Sequence, residues 1–284
     1  MLWPLTWGAL RPLVVPMADG FLKRADGTSA RILLTNDDGI NAPGLVALEK
    51  IAAELSDDVL VVAPESEQSG ASRSITLSKP LRMRQLGEHK YAVEGTPADC
   101  VLMAYRFILD DPPDLVLSGV NRGQNIADDV TYSGTIAGAM EGSALGIRSM
   151  ALSQSYGFDH SDRLSVRWQC AEAHGAGLVR QLYGTSFDAS TVMNINFPDC
   201  EPEKVSATEV TVQGQRDQNL LNILEREDGR GQAYYWLGFR RELSNPPEGT
   251  DLRAIYDGRI SVTPLHLNLT QEHALAGLRE VIGG

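Results

Sequence analysis

Cysteine is scarce in this 284-residue chain: Cys100, Cys170 and Cys200 lie far apart. An odd, scattered trio supports neither a disulfide framework nor a cysteine zinc cluster; it suits buried thiols in a reducing compartment, and a cytoplasmic location is expected. Basic side chains are outnumbered, 25 Lys and Arg against 37 Asp and Glu, leaving a formal charge of −12. Such a surface repels polyanions and argues against long nucleic acid as a partner, while a local cation would still admit a small anion. No apolar run is long enough to span a membrane, so no membrane partner is expected. Met1–Ala18 is apolar but interrupted by Pro4, Pro12 and Pro16, with Arg11 in mid-run and no basic start. That pattern departs from a secretory signal. The expectation is a poorly ordered extension over 1–29, or a true start at Met17.

Familiar signatures are missing too. There is no Walker-type Gly-x-x-x-x-Gly-Lys-Ser/Thr, no Gly-x-Gly-x-x-Gly after the first strand and no Gly-x-Ser-x-Gly elbow. His89, His160, His174, His266 and His273 lack metal-ligand spacing and are read as surface or structural.

What is present is a globular composition, 43% hydrophobic and 22% charged, with apolar strand-like runs alternating with helical patterns. Runs at 31–35, 59–63, 114–118, 149–153 and 191–197 each end in Pro, Gly or polar residues. Between them, 45–55, 98–109, 135–145 and 167–183 carry helical spacing. Strands that do not alternate in polarity, separated by helices, predict an α/β fold: a Rossmann-like, doubly wound, mainly parallel sheet over residues 30–200. Beyond Pro198, an alternating run at 205–212 and an aromatic run at 233–239 predict a C-terminal β arm, with a short helical turn at 220–224 between them. A further strand at 258–265 and a short helix at about 270–281 follow, and 201–284 is read as the arm and oligomerisation segment.

Ligands of open parallel sheets bind beyond the carboxyl ends of the strands. There the sequence places Asn36-Asp37-Asp38-Gly39, then Ser69-Gly70 with Ser72-Arg73-Ser74, then Asn121-Arg122-Gly123 leading to Ser133-Gly134-Thr135. Adjacent carboxylates repel, and a divalent cation removes that conflict; Ser69 and Asn121 would add hard oxygen ligands suited to Mg²⁺ or Mn²⁺. The Asp-Asp-Gly triplet equally fits an ordinary turn. Ser133-Gly134-Thr135 opens a helical run whose free N–H groups suit a phosphate, or it is an ordinary N-cap.

Arg31-Ile32-Leu33-Leu34-Thr35-Asn36-Asp37-Asp38-Gly39-Ile40 resembles the N-terminal signature of the SurE family of stationary-phase survival proteins. In the same order follow Gln68-Ser69-Gly70, Gly95-Thr96-Pro97-Ala98-Asp99-Cys100, Ser118-Gly119-Val120-Asn121-Arg122-Gly123, Tyr132-Ser133-Gly134-Thr135, Asn194-Ile195-Asn196 and Ser261-Val262-Thr263-Pro264-Leu265. The resemblance implies a metal-dependent phosphomonoesterase, mainly a 5′-nucleotidase, with some activity on 3′-nucleotides and polyphosphate. It implies one divalent ion at Asp37, Asp38, Ser69 and Asn121, and dimers or tetramers that exchange C-terminal arms. Asp37 and Asp38 are the candidate catalytic pair, by orienting water or attacking phosphorus. Asn36, Gly39, Ser133, Gly134 and Thr135 are the candidate phosphate-binding residues for a nucleoside monophosphate. The alternative is a catalytically silent nucleotide-binding regulatory protein on the same fold. The extension before Ala30 and the stretch 128–132 depart from the family pattern.

Overall fold

The structure, a computed structural model, describes residues 20–156, 166–216, 221–239 and 245–282. Its centre is β1 (Ile32–Thr35), fully buried along its length. Ile32 and Leu34 join one apolar cluster and Leu33 the other, so the two faces of the strand serve two separate cores. This is why the run shows no polar alternation: neither face meets water. Each such fully buried Leu or Ile contributes roughly 1.5–3 kcal/mol relative to an exposed one.

The remaining elements are α1 (Pro43–Ala53), β2 (Val59–Pro64), β3 (Met83–Gly87), β4 (Lys90–Val93), α2 (Pro97–Met103), β5 (Leu115–Arg122), α3 (Gly134–Ala144), β6 (Arg148–Gln154), α4 (Gln169–Tyr183), β7 (Thr191–Phe197), β8 (Thr208–Val210), β9 (Leu221–Glu227), β10 (Ala233–Phe239), α5 (Asp251–Tyr256), β11 (Ile260–His266) and α6 (Glu272–Ile282). The main sheet runs β3-β4-β2-β1-β5-β6-β7-β11-β8. The pairs from β4 through β7 are parallel, with antiparallel β3 and β11 flanking them. This is the expected doubly wound α/β architecture, with α1 and α4 on one core and α2 on the other.

Helix starts follow local chemistry. Pro43 opens α1 where its missing N–H costs nothing. Thr96 and Asp99 close a full capping box on α2, with the Thr96 side chain accepting from the Asp99 N–H and the Asp99 carboxylate from the Thr96 N–H. Gly138 lets α3 lie close on the sheet, since a Cβ there would come 2.8 Å from Ser118 Oγ.

Several expectations change. The β3–β4 hairpin and α5 were not legible, because β3 is largely exposed while β4 and α5 are only four and six residues long. The helical turn expected at 220–224 is instead strand from Leu221 on, paired antiparallel with β10, since an isolated arm satisfies its backbone best as a hairpin; position 220 lies outside the described residues. In the 205–212 run only Thr208–Val210 is strand, and it pairs parallel with β11. β8 and β11 return to the main sheet, so residues beyond 200 supply core as well as arm. Of the extension expected over 1–29, residues 1–19 lie outside the described part; from 20 on the chain packs, with Leu22 fully buried and the Leu22 N–H donating to Leu55 O at 2.7 Å. Among the described residues, no helix is long and apolar enough to cross a membrane.

Candidate functional site

After β1 the chain moves outward to β2 and later returns to the other side of β1 as β5. This reversal opens a crevice at the carboxyl ends of β1 and β5, the place where doubly wound sheets bind ligands. Asp37 and Asp38 follow β1, Asn121 is the last residue but one of β5, and Ser133 precedes α3.

Asn36 and Gly39 build the turn. The Asn36 amide donates to Gly39 O at 2.9 Å and accepts from the Gly39 N–H at 3.2 Å, and Gly39 takes a φ of 101°. A side chain is strained at that φ, which explains glycine there. Asn36 is fully buried with its amide spent on the turn. Its side chain therefore shapes the loop that carries Asp37 and Asp38.

Asp37 is 4% exposed and accepts a hydrogen bond from the Thr135 hydroxyl. Gly134 lies against it: a Cβ there would come 2.8 Å from Asp37 Cβ and 2.9 Å from its Oδ2. Burial pushes the Asp37 carboxyl up to about 6; the Thr135 hydroxyl pulls the other way, and the neighbouring Asp38 adds to the rise. Asp38 accepts from the Arg122 N–H at 3.0 Å. Its carboxyl is also raised by burial, with the Arg122 N–H and guanidinium opposing and Glu67 reinforcing. The β1 and β2 loops are tied by the Gln68 N–H donating to Asp37 O at 2.7 Å.

The structure thus joins Asp37 to Gly134 and Thr135, and Asp38 to the end of β5. Ser69 is exposed and donates to Glu67 Oε1 at 2.9 Å, and Asn121 donates through Nδ2 to Gly123 O at 2.8 Å, leaving its amide oxygen outside that bond. Ser133 spends its hydroxyl on the N-cap, accepting from the Ile136 N–H at 3.0 Å. What this end of α3 offers an anion is therefore backbone N–H and the positive helix end.

The buried Asp37 has a hydroxyl partner and an acidic neighbour, so its charge is short of compensation. Carboxylates, a hydroxyl and an amide oxygen together make a hard, oxygen-only donor set. Among the described residues no group of three His, Cys, Asp or Glu side chains is placed to hold a metal, so a thiolate or imidazole site has no basis there. His160 lies outside the described residues.

The family model for survival protein SurE matches residues 32–220, the stretch that contains all of these loops. The chain belongs to the SurE family. Among SurE relatives, 5′-nucleotidase SurE of Parvibaculum lavamentivorans is 59% identical over 256 residues, covering 90% of this chain and 92% of that protein. 5′-nucleotidase SurE of Caulobacter vibrioides is 58% identical over 255 residues, covering 89% of this chain and 97% of the relative. The crystal structure of SurE protein from Aquifex aeolicus superposes with a TM-score of 0.76 at 37% identity, covering 88% of this chain and 99% of that one.

The structure of this SurE-family chain also shows Asp251 and Arg216, which sequence reasoning did not single out, and gives the Asn194-Ile195-Asn196 motif its partners. Asp251, fully buried, accepts from the N–H groups of Ala127 and Gly214 at 2.9 Å each. Arg216 pairs with Asp129. Together they tie the base of the arm to the segment that leads into Ser133. Asn194 and Asn196 both donate to Asn125 O, and Asn196 accepts from the Asn125 N–H at 2.8 Å. The signal for that pair was present: two asparagines on one face of an otherwise apolar strand need buried partners. No comparable signal marked Asp251 or Arg216.

Proposed function

We propose that this chain is a divalent-metal-dependent phosphomonoesterase that hydrolyses nucleoside 5′-monophosphates, with 3′-nucleotides and polyphosphate as further substrates. The observation that carries the reading is Asp37: buried beside a second carboxylate at the β1–β5 switch point and pressed against the first residue of α3. Two relatives at 58–59% identity, named 5′-nucleotidase, support the same substrate class.

Asp37, Asp38, Ser69 and Asn121 would hold one Mg²⁺ or Mn²⁺ ion. When bound, such an ion draws charge from a phosphoryl oxygen as the ester breaks. The chain's own contribution is positional. Thr135 orients Asp37 through its hydroxyl and the Arg122 N–H orients Asp38, while the positive N-terminal end of α3 would stabilise the developing negative charge. Asn36 and Gly39 hold the turn that presents both carboxylates.

The test is phosphate release from a panel of nucleoside monophosphates after EDTA treatment, then with Mg²⁺ or Mn²⁺ restored, for the wild type and Asp38→Asn. Metal-dependent release that the variant loses is the expected result. Folded protein that binds nucleotide but releases no phosphate with either metal would overturn the reading.

The same proposal includes a homodimer or homotetramer through the arm. On β10, Tyr235 is 61% exposed, Trp236 62% and Leu237 69%, an apolar surface that a lone hairpin leaves in water. Light scattering on purified protein should return a multiple of the 30.9 kDa chain mass; a strictly monomeric mass would remove this part.

A further inference from the structure

A cavity of about 260 Å³ opens beside the site, lined by residues that include Glu65, Gln68, Thr76, Lys79 and Glu94. It lies at the carboxyl ends of β2 and β4, on the same sheet edge as Asp37. Neighbouring strands are about 4.8 Å apart, so this cavity stands roughly 5–10 Å from the end of β1. That is the reach of a sugar and base from their 5′ phosphate. Gln68 belongs to both places: its backbone N–H donates to Asp37 O at 2.7 Å, and it also lines the cavity.

The walls are held in place from outside. Ser72 donates to Thr131 O at 2.9 Å, Arg73 donates to Glu141, the Thr96 hydroxyl donates to Ser74 O, and Thr76 donates to Asp99 through both its N–H and its hydroxyl. Glu65 is paired with Arg84. These bonds anchor the 72–76 stretch beside a preformed polar recess. The groups less committed to this framework are the Gln68 amide, whose bonds to Ser66 are long at 3.4–3.5 Å, and the Glu94 carboxylate, 3.9 Å from Arg82. Lys79 lies exposed at the same recess.

We infer that this recess is the nucleoside subsite, and that Gln68, Lys79 and Glu94 distinguish a nucleotide from a small phosphate ester by hydrogen bonds to its sugar hydroxyls and base edge. The inference rests on the phosphomonoesterase reading above and adds to it the residues that read the leaving group.

The test compares kcat/KM for AMP and for p-nitrophenyl phosphate in the wild type and in Lys79→Ala/Glu94→Gln. This double variant removes one positive and one negative charge, so the net charge is unchanged and long-range steering is not the variable. Both positions are exposed. The expected result is a fall of about tenfold for AMP, mainly through KM, with the aryl phosphate losing at least fivefold less. An equal fall for both substrates, or no fall for AMP, overturns the subsite. If the wild type hydrolyses neither substrate, the phosphomonoesterase reading itself falls; the subsite is then judged by AMP affinity in calorimetry, and unchanged affinity in the double variant overturns it.

Discussion

Gly134→Ala adds one methyl group at the point where α3 meets Asp37. The new Cβ would stand 2.8 Å from Asp37 Cβ, 2.9 Å from Oδ2 and 3.2 Å from Cγ. Ordinary contact begins near 3.4 Å, so the carboxylate or the helix start must retreat by about 0.6 Å, the difference between 3.4 and 2.8 Å. Asp37 is short, 4% exposed and bonded to Thr135, so it has no flexible end to swing aside. Crowding of this kind costs about 1–3 kcal/mol. Alanine recovers about 0.5–1 kcal/mol of helix propensity over glycine. The net loss of stability is therefore small, roughly 0–2.5 kcal/mol, or at most several degrees in melting temperature. Turnover should suffer far more. A reacting group misplaced by about 1 Å costs about a hundredfold, and a shift of roughly half that size should cost tenfold or more. The assay is metal-restored phosphate release beside a thermal melt, with Gly138→Ala as the control. There a Cβ meets Ser118 Oγ at 2.8 Å and Thr35 Cγ2 at 2.9 Å, which is similar crowding without Asp37. Gly138→Ala should melt lower yet keep most of its turnover. Gly134→Ala within twofold of wild type, or Gly138→Ala equally impaired, would refute the reasoning.

Asp37→Asn should abolish turnover and, without metal, raise stability near neutral pH. Burial lifts this carboxyl from 3.8 to about 6 in the fold, so it favours the folded state below pH 3.8 and loses that contribution as pH rises through about 6. At about 1.4 kcal/mol per pH unit the swing is roughly 3 kcal/mol. Melting in EDTA should show the variant above wild type at pH 7.5 and the gap closing by about pH 4; a gap independent of pH would dismiss the assignment. Asp251→Ala removes the acceptor for the Ala127 and Gly214 N–H groups and should cost about 3 kcal/mol or more by denaturant titration. It should also raise KM, because the segment leading to Ser133 loosens; normal stability would show the carboxylate to be idle. Gly177→Ala, in the middle of α4 with nothing within 4 Å of the added Cβ, should stabilise by about 0.5–1 kcal/mol without changing kcat; a lower melting temperature would count against that geometry.

The parallel core was legible because Ile32, Leu33 and Leu34 are apolar in succession, which only a strand covered on both faces tolerates. The strand-end loops were legible for a related reason: Asn36, Asp37, Asp38 and Gly39 cannot prolong β1, and topology sends such loops to the ligand edge. The hairpin of β3 and β4 escaped notice because β3 carries no core pattern and β4 is four residues long, with its buried pair Ala92 and Val93 at one end. The helical turn expected at 220–224 was a misreading because apolar spacing over so few residues does not separate a helical turn from a strand; from Leu221 on, pairing with β10 decides it. The closure of the Asn36 side chain on Gly39 was not legible, because residue types alone do not say which way a side chain turns.

By itself the sequence determined that an α/β alternation is present and that the Asn36–Gly39 and Ser133–Thr135 loops follow apolar strands, since the succession of strands and the polar residues that end them are local features. Only the tertiary structure decided how they are used. It set Asp37 against Gly134 and Thr135, nearly a hundred residues away, and removed water from it, so that its carboxyl rises to about 6. It also returned residues from beyond 200 to brace the turn before α3 through Asp251 and Arg216. Burial and long-range hydrogen bonds depend on distances between segments far apart in the chain, and no local pattern encodes those distances.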